Sequence, residues 1–377
     1  MKDIIISKKI KVIAVVLLIL FNLTSAEGLR GDIASEFRPV DSDRIPEILT
    51  VITSRIKSNY DKIRTWQGER DFTIDRTYKG AKAERVFNTR TDGVGETPKT
   101  VIRRIEGRHK FAVDLENNFL YANVIRKNPP YYMDLETGRD LGTKSAPIQQ
   151  VSIVTPEYYI NWGPHSMRDG AITRRKTVKQ VRQHQKGLTC SNLSMPVSDP
   201  RDCFVVGQPI WETFPPVLQY IKEHGEFSVD GHPLKVEEHT DGTITKYRVL
   251  LPGRVSPEQY SFITMIFSGE DSFNIVSYEL TDSNAKVFQQ LTWEYELVSG
   301  VYLPKKTTEQ IFDRKSGDLS YEATYTYNNL KVNQPIPAET FEYTNLDLDD
   351  GDIFVDEIIN KEYRYEAATK KLKPVEK

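Results

Sequence analysis

Cysteine is nearly missing from this chain: Cys190 and Cys203, with 12 residues between them, are the whole complement in 377 residues. A disulfide-dense scaffold and a Cys-rich metal module are therefore excluded. In an oxidising compartment such a pair is expected to close one disulfide, contributing about 3 kcal/mol in the chain-entropy model. A redox or metal pair would call for C-x-x-C spacing or neighbouring His ligands, and the sequence has neither. Histidine is scarce too, with 6 scattered positions. There is no H-E-x-x-H, no G-x-S-x-G, no P-loop and no Rossmann glycine fingerprint. No repeat recurs at solenoid or propeller spacing. Nor is there an excess of one charge: the formal net charge is -2, which excludes a general nucleic-acid binder.

Long apolar runs are confined to the first 26 residues. Lys2, Lys8, Lys9 and Lys11 precede an unbroken apolar stretch from Val12 to Phe21, and "TSA" ends at Ala26. In charge, length and order this is expected to be a secretory signal. The alternative, a membrane anchor, needs about 20 spanning residues, more than the run supplies. No Cys follows it, so a lipid-modified N-terminus is not expected. Removing the segment takes away four Lys and one Asp, leaving 47 basic and 52 acidic residues, a net -5.

What the chain does have is aromatic residues in alternation. With 19 Tyr and 16 Phe, a sheet-rich protein is expected. Leu291, Trp293, Tyr295 and Leu297 fall on every second position, as do Leu319, Tyr321, Ala323, Tyr325 and Tyr327. A period of two marks strands with one covered face. "FAVDL" likewise puts Phe111, Val113 and Leu115 on one side.

Along the chain, 27–43 reads as a flexible leader. Ile45, Leu49, Ile52, Ile56, Tyr60 and Ile63 recur at three or four residues, predicting an amphipathic helix over 44–63. Asp43 is placed to cap it and Pro46 is tolerated in its first turn. Strands are expected at about 69–78, 83–90, 100–106, 109–115, 119–127 and 131–135, with "ETGRD" (136–140) as a turn. A second helix over about 209–224 must break or restart at Pro215 and Pro216. A meander resumes near 226, with turns at "TDGT", "SGED", "TDSN", "VSGV" and "KSGD". The domain reading is one enlarged domain over 44–360 with a disulfide-bearing insert at about 161–225, and a charged, frayed tail over 361–377. Two helices are too few to cover about ten strands, which hints at a cavity on the apolar face.

Candidate metal and anion sites are sparse. On a strand, Glu237 and His239 would share a face and offer two ligands, against a plain solvent-facing reading. "NLDLDDGDIFVDE" (345–357) fails the EF-hand spacing in both frames and reads as an acidic turn. Arg174, Arg175, Lys176, Lys179, Arg182 and Lys186 form a basic run with no acidic residue. It is either a solvated surface or a contact for anionic head groups or an acidic envelope polymer.

The stretch "YELVSGVYLPKKTTEQIFDRKSGDLSYEATYTYNNLKVNQPIPAETFEY" resembles the second half of the LolA-like periplasmic lipoprotein-carrier superfamily, which includes LolB and RseB/MucB proteins. The matching elements are Gly300 to Pro304, the strand pair around Gly317, Asn333, Ile336, Pro337 and Phe341, and the closing "GDIFVD". The helix over 44–63 followed by "TWQGERDFTI" is similar to the family's opening. "EGRHKFAVDL" is similar to its early strand pair, without the usual proline-glycine before the Lys. The resemblance covers about half the chain, and the excess length falls within 140–225. It implies an α+β fold, mostly antiparallel: a strongly curved half-barrel sheet whose concave apolar face is lidded by helices. It implies no catalytic residue and no cofactor.

The expected function is an exported, non-catalytic protein of the periplasm or cell envelope. It carries or senses lipid, lipopeptide or another apolar ligand. Its partners would be acyl chains of lipids or lipoproteins and an envelope protein, with peripheral membrane contact and no nucleic acid. The expected cavity lining is Phe111, Val113, Leu115, Leu291, Trp293, Tyr295, Leu297, Tyr321, Tyr325 and Tyr327. The competing readings are an envelope interaction module with a self-filled cavity, and a hydrolase using scattered carboxylates.

Overall fold

The computed structural model describes residues 37–126, 130–144, 149–162, 172–176, 210–256, 259–346 and 348–375. The signal segment and Cys190, Cys203, Lys179, Arg182 and Lys186 lie outside these residues. Three α-helices occur among them: α1 (Ile45–Tyr60), α2 (Ala81–Arg90) and α3 (Pro215–His224). The strands begin with β1 (Arg38–Pro39), β2 (Thr65–Lys79), β3 (Thr100–Asp114), β4 (Phe119–Arg126), β5 (Tyr131–Asp134), β6 (Gln149–Val154), β7 (Tyr158–Trp162) and β8 (Ile172–Lys176). Next come β9 (Ser228–Val229), β10 (His232–Pro233), β11 (Lys235–Asp241), β12 (Ile244–Ser256), β13 (Gln259–Ser268) and β14 (Asn274–Asp282). The last are β15 (Val287–Val298), β16 (Val301–Phe312), β17 (Leu319–Val332), β18 (Ile353–Asp356), β19 (Lys361–Glu366) and β20 (Lys371–Pro374).

Where one domain was expected over 44–360, chain contacts gather into two compact units. One takes Met1–Tyr60, Gln208–Leu297 and Tyr302–Thr324; the other takes Asp61–Gly207, Val298–Val301 and Tyr325–Lys377. Strand β17 begins in the first and ends in the second.

In the first unit, helix α1 buries Ile45, Ile48, Leu49, Ile52, Ile56 and Tyr60, the stripe that its spacing predicts. Pro46 sits in the first turn, where no intrahelical N–H is needed. The prolines at 215 and 216 act as expected: a 3-10 turn over Ile210–Glu212 stops, and α3 restarts with Pro215 as its first residue. Gly225 ends α3 at φ 89°, its N–H donating to the Ile221 carbonyl at 2.7 Å. The meander is antiparallel from β11 to β15. Its register lines up Val236, Val249, Met265, Tyr278 and Leu291 in one buried cross-strand row. Two residues along from Met265, Phe267 meets the ring of Phe214 at 5.7 Å, just ahead of α3. The expected irregular leader is ordered at its end. β1 pairs with β11, and Arg248 stacks on the buried Phe37 ring at 4.6 Å.

In the second unit, β2 and β3 pair over their whole length, from Thr65 opposite Asp114 to Lys79 opposite Thr100. The two strands expected at 100–106 and 109–115 are thus one. The strand expected at 83–90 is instead helix α2. Ala83 and Phe87, four apart, pack together on Val101, Tyr132 and Leu141, a contact that an alternating strand would break. The order continues β3–β4–β6–β7–β8, all antiparallel, with β5 also pairing with β3. β18 joins β8 in parallel, Phe354 facing Ile172 and Asp356 facing Arg174.

The tail over 361–377 is not frayed, because β18, β19 and β20 form an antiparallel set. Tyr363 and Leu372 pack against a core of Ala112, Tyr121, Val151, Ile153, Ile160, Phe341, Leu346 and Phe354. Asn333, of the family-like motif, clamps this unit. Its Oδ1 accepts from the Arg64 N–H at 2.8 Å, and its Nδ2 donates to the Lys62 carbonyl at 2.8 Å. A left-handed φ of 55° aims the side chain back, a conformation Asn tolerates better than most residues.

Candidate functional site

Alternation along β2 sends Trp66, Gly68, Arg70, Phe72 and Ile74 to one face, and four of the five are buried. Opposite them on β3 stand Val113, Phe111, His109, Gly107 and Ile105. An arginine and a histidine thus sit directly across from each other in an otherwise apolar and aromatic strip. Arg70 is 5 % exposed and His109 is 0 % exposed. The strip is tight. A Cβ added at Gly68 would lie 2.7 Å from Leu330 and 3.3 Å from Phe111, so only glycine lets the rings close over this position. Trp66 packs on Phe111 at 4.5 Å and stacks on Tyr327 at 6.3 Å, and His109 meets Phe111 edge-on at 5.9 Å.

The polar geometry fixes the state of His109. Arg70 Nη2 lies 3.1 Å from His109 Nδ1, and Arg70 Nη1 donates to the Tyr327 hydroxyl at 3.3 Å. A guanidinium only donates, so Nδ1 must be the bare, accepting nitrogen. The ring proton then sits on Nε2. Burial, and then the neighbouring Arg70 charge, hold the imidazole well below its ordinary range, so the ring stays neutral. Arg70 also lies over the rings of Tyr325 at 4.9 Å and Tyr327 at 5.6 Å. Among the described residues, His109 Nε2 and Trp66 Nε1 have no hydrogen-bond partner. Further along the same face, Arg126 is buried opposite Gly107. Its pKa is pulled down by burial first and by Arg103 second. The apolar strip is therefore electropositive and rich in donors.

The opposite face of the same ladder is wet and paired. Arg104 bonds Asp75 at 2.8 and 2.6 Å, and Arg108 reaches Asp71 at 2.9 Å and Glu69 at 3.2 Å.

The structure brings four of the expected lining residues together: Phe111, Val113, Tyr325 and Tyr327 all belong to the second unit and surround Trp66 and Arg70. Leu115 lies just past the end of β3, its N–H donating to the Arg64 carbonyl. Leu291, Trp293, Tyr295, Leu297 and Tyr321 belong to the first unit. Along β15 their cover fades, from buried Leu291 through half-buried Trp293 and Tyr295 to Leu297 at 60 % exposure. The Tyr295 hydroxyl donates to the Ile275 carbonyl at 2.8 Å. Of the basic run, Arg174, Arg175 and Lys176 stand on β8, in register with Ile160, Tyr159 and Tyr158 of β7.

The sequence reading missed Trp66, Arg70 and His109. A signal was present, since Arg70 shares the parity of Trp66 and Phe72, and His109 that of Phe111 and Val113. Glu237, weighed as a ligand, instead bonds Arg248, and the His239 ring lies 5.7 Å from Phe37. Among the described residues no group of three or more His, Cys, Asp or Glu is arranged to hold a metal. No described helix is long and apolar enough to cross a membrane.

No protein-family model matches the chain, and no curated protein does. Solved structures with some likeness include LolA-superfamily proteins. A LolA superfamily protein from Nitrosomonas europaea is 10 % identical with a TM-score of 0.33, over 79 % of this chain and 99 % of that one. A putative outer membrane lipoprotein-sorting protein domain from Vibrio parahaemolyticus is 8 % identical with a TM-score of 0.35, over 80 % and 97 %. A DUF1329 family protein from Desulfovibrio piger is 11 % identical with a TM-score of 0.35, over 81 % and 100 %. Likeness at this level assigns no activity.

Proposed function

We propose that this is an exported, non-catalytic binding protein of the periplasm or cell envelope that carries or senses a lipid, lipopeptide or other apolar ligand. In this reading the sheet curves into a half-barrel, and an acyl chain is taken up on the aromatic face of the second unit. The observation that carries it is the one-sided strip of Trp66, Phe111, Val113 and Tyr327 on the β2–β3 ladder and β17. The motif resemblance around Asn333 and the signal-like first 26 residues point the same way. Burying an acyl chain yields about 0.8 kcal/mol per methylene, enough for useful affinity after association costs. In the first unit, Leu291, Trp293, Tyr295, Leu297 and Tyr321 form a separate apolar face. Arg174, Arg175, Lys176, Lys179 and Arg182 are proposed as a contact for anionic membrane surfaces, and Cys190 and Cys203 as a disulfide.

A second reading, an envelope interaction module whose apolar face is filled by its own side chains, is favoured by one observation. The row through Met265 is fully buried, with Phe214 packed on neighbouring Phe267.

Binding of a fluorescent fatty acid to the full chain separates the two. The carrier reading expects micromolar affinity or better, lost in Tyr325→Glu while thermal unfolding remains cooperative. Loss in Trp293→Glu instead would move the site to the first unit. No binding to the wild type would leave the self-filled module.

A further inference from the structure

We propose that the buried Arg70–His109 pair receives an anionic head group, a carboxylate or phosphate, on a single-chain amphiphile. This rests on the acyl-binding reading and adds the ligand's polar end to it. The argument comes from donor counting. Arg70 spends one N–H on His109 Nδ1 and another on Tyr327, which forces the His109 proton onto Nε2. That Nε2–H is wholly buried and, among the described residues, has no acceptor. Trp66 Nε1–H, across the Phe111 ring, is in the same condition. An indole N–H and a guanidinium can only donate, and this imidazole has one nitrogen left, which also donates.

A buried donor without a partner costs free energy comparable to a lost hydrogen bond, so a complement is called for. What fits is a group made of lone pairs. Water brings two further hydrogens into a place already rich in donors, whereas a carboxylate or phosphate oxygen brings none. The fixed charge of Arg70 compensates the anion's desolvation, and charge-assisted bonds are the strong class. The surroundings select the rest of the molecule. Trp66, Phe111, Val113 and the Tyr325 and Tyr327 rings offer an acyl chain apolar contact beside the charged end. Taken alone, an apolar face says nothing of head-group chemistry; the forced tautomer does.

The test compares three ligands of one chain length, palmitate, hexadecyl phosphate and hexadecanol, each displacing an uncharged naphthylamine fluorophore from the full-length protein. One or both anions should displace it at a concentration at least about tenfold below that of hexadecanol, as expected for charge-assisted bonds. Which anion is stronger tells carboxylate from phosphate. In Arg70→Met the preference should vanish. In His109→Phe, which keeps a ring but removes the donor, it should shrink. Should Arg70→Met fail to fold, His109→Phe decides, together with carbon-13 NMR of carboxyl-labelled palmitate. There the bound carboxyl should stay ionised at acid pH where the free acid is protonated. Equal displacement by acid and alcohol would overturn the head-group assignment while leaving the carrier reading intact. A preference unchanged in the variants would also overturn it. Failure of all three ligands to bind would remove both.

Discussion

On one face of the β2–β3 ladder Arg104 and Arg108 lie beside Asp75 and Asp71, half in water. On the other, Arg70 lies beside His109 and two tyrosine rings, cut off from solvent. The strands, the register and even the residue type are shared; only parity differs. Outside, the arginine chooses between a carboxylate and water at little net gain. Inside, every donor must be matched by protein or by something the protein binds. A charge on the covered face therefore carries information that the same charge outside does not.

The largest break in this comparison should come from the covered face. Trp66→Ala removes the ring that packs on Phe111 and Tyr327, and should cost about 3–5 kcal/mol in chemical unfolding. A loss below about 1 kcal/mol would mean that the site collapses around the gap. A smaller effect should come from pH. The His109 pKa is lowered on folding, so below about 6.5 the unfolded chain binds a proton that the folded chain refuses. Stability should therefore fall as pH falls, by about 1.4 kcal/mol between pH 7.5 and 5.5. His109→Phe should flatten that slope, and an unchanged slope would show that His109 takes up a proton without unfolding. The smallest effect belongs outside. Arg104→Ala should cost less than about 1 kcal/mol, and less still in high salt. A larger, salt-insensitive loss would make the outer face part of the folded core.

How far the sequence could be read follows the range of the interactions. Helix α1 was legible because its apolar stripe is local, and the restart at Pro215 because proline acts on its own turn. Helix α2 was misread because "AERVFN" is too short to tell a period of two from one of four; the buried Ala83–Phe87 pair decides it. The tail was misread because its charges hide Tyr363 and Leu372, whose partners include Ile153 and Phe354. Of the candidate site, Phe111, Val113, Tyr325 and Tyr327 were found by alternation. Arg70 and His109 were passed over, since a charged residue in a strand is taken for solvent-facing unless its parity is weighed. Their pairing depends on register between β2 and β3, which no short window contains. The division into two units was illegible for the same reason, because β17 runs from one into the other without a local mark.

The Asn333 clamp reaches across 269 residues of sequence to the start of β2. Strand β17, which borders β2, enters the second unit only from Tyr325 onward. During synthesis, then, β2 has β3 to pair with early but keeps its other edge open until the last part of the chain leaves the ribosome. Open edges recruit foreign strands, and contacts of such long separation form slowly. This protein's second unit is finished only after its synthesis is nearly complete, and a helper that shields one strand edge in the meantime would raise its yield more than one that shields its helices.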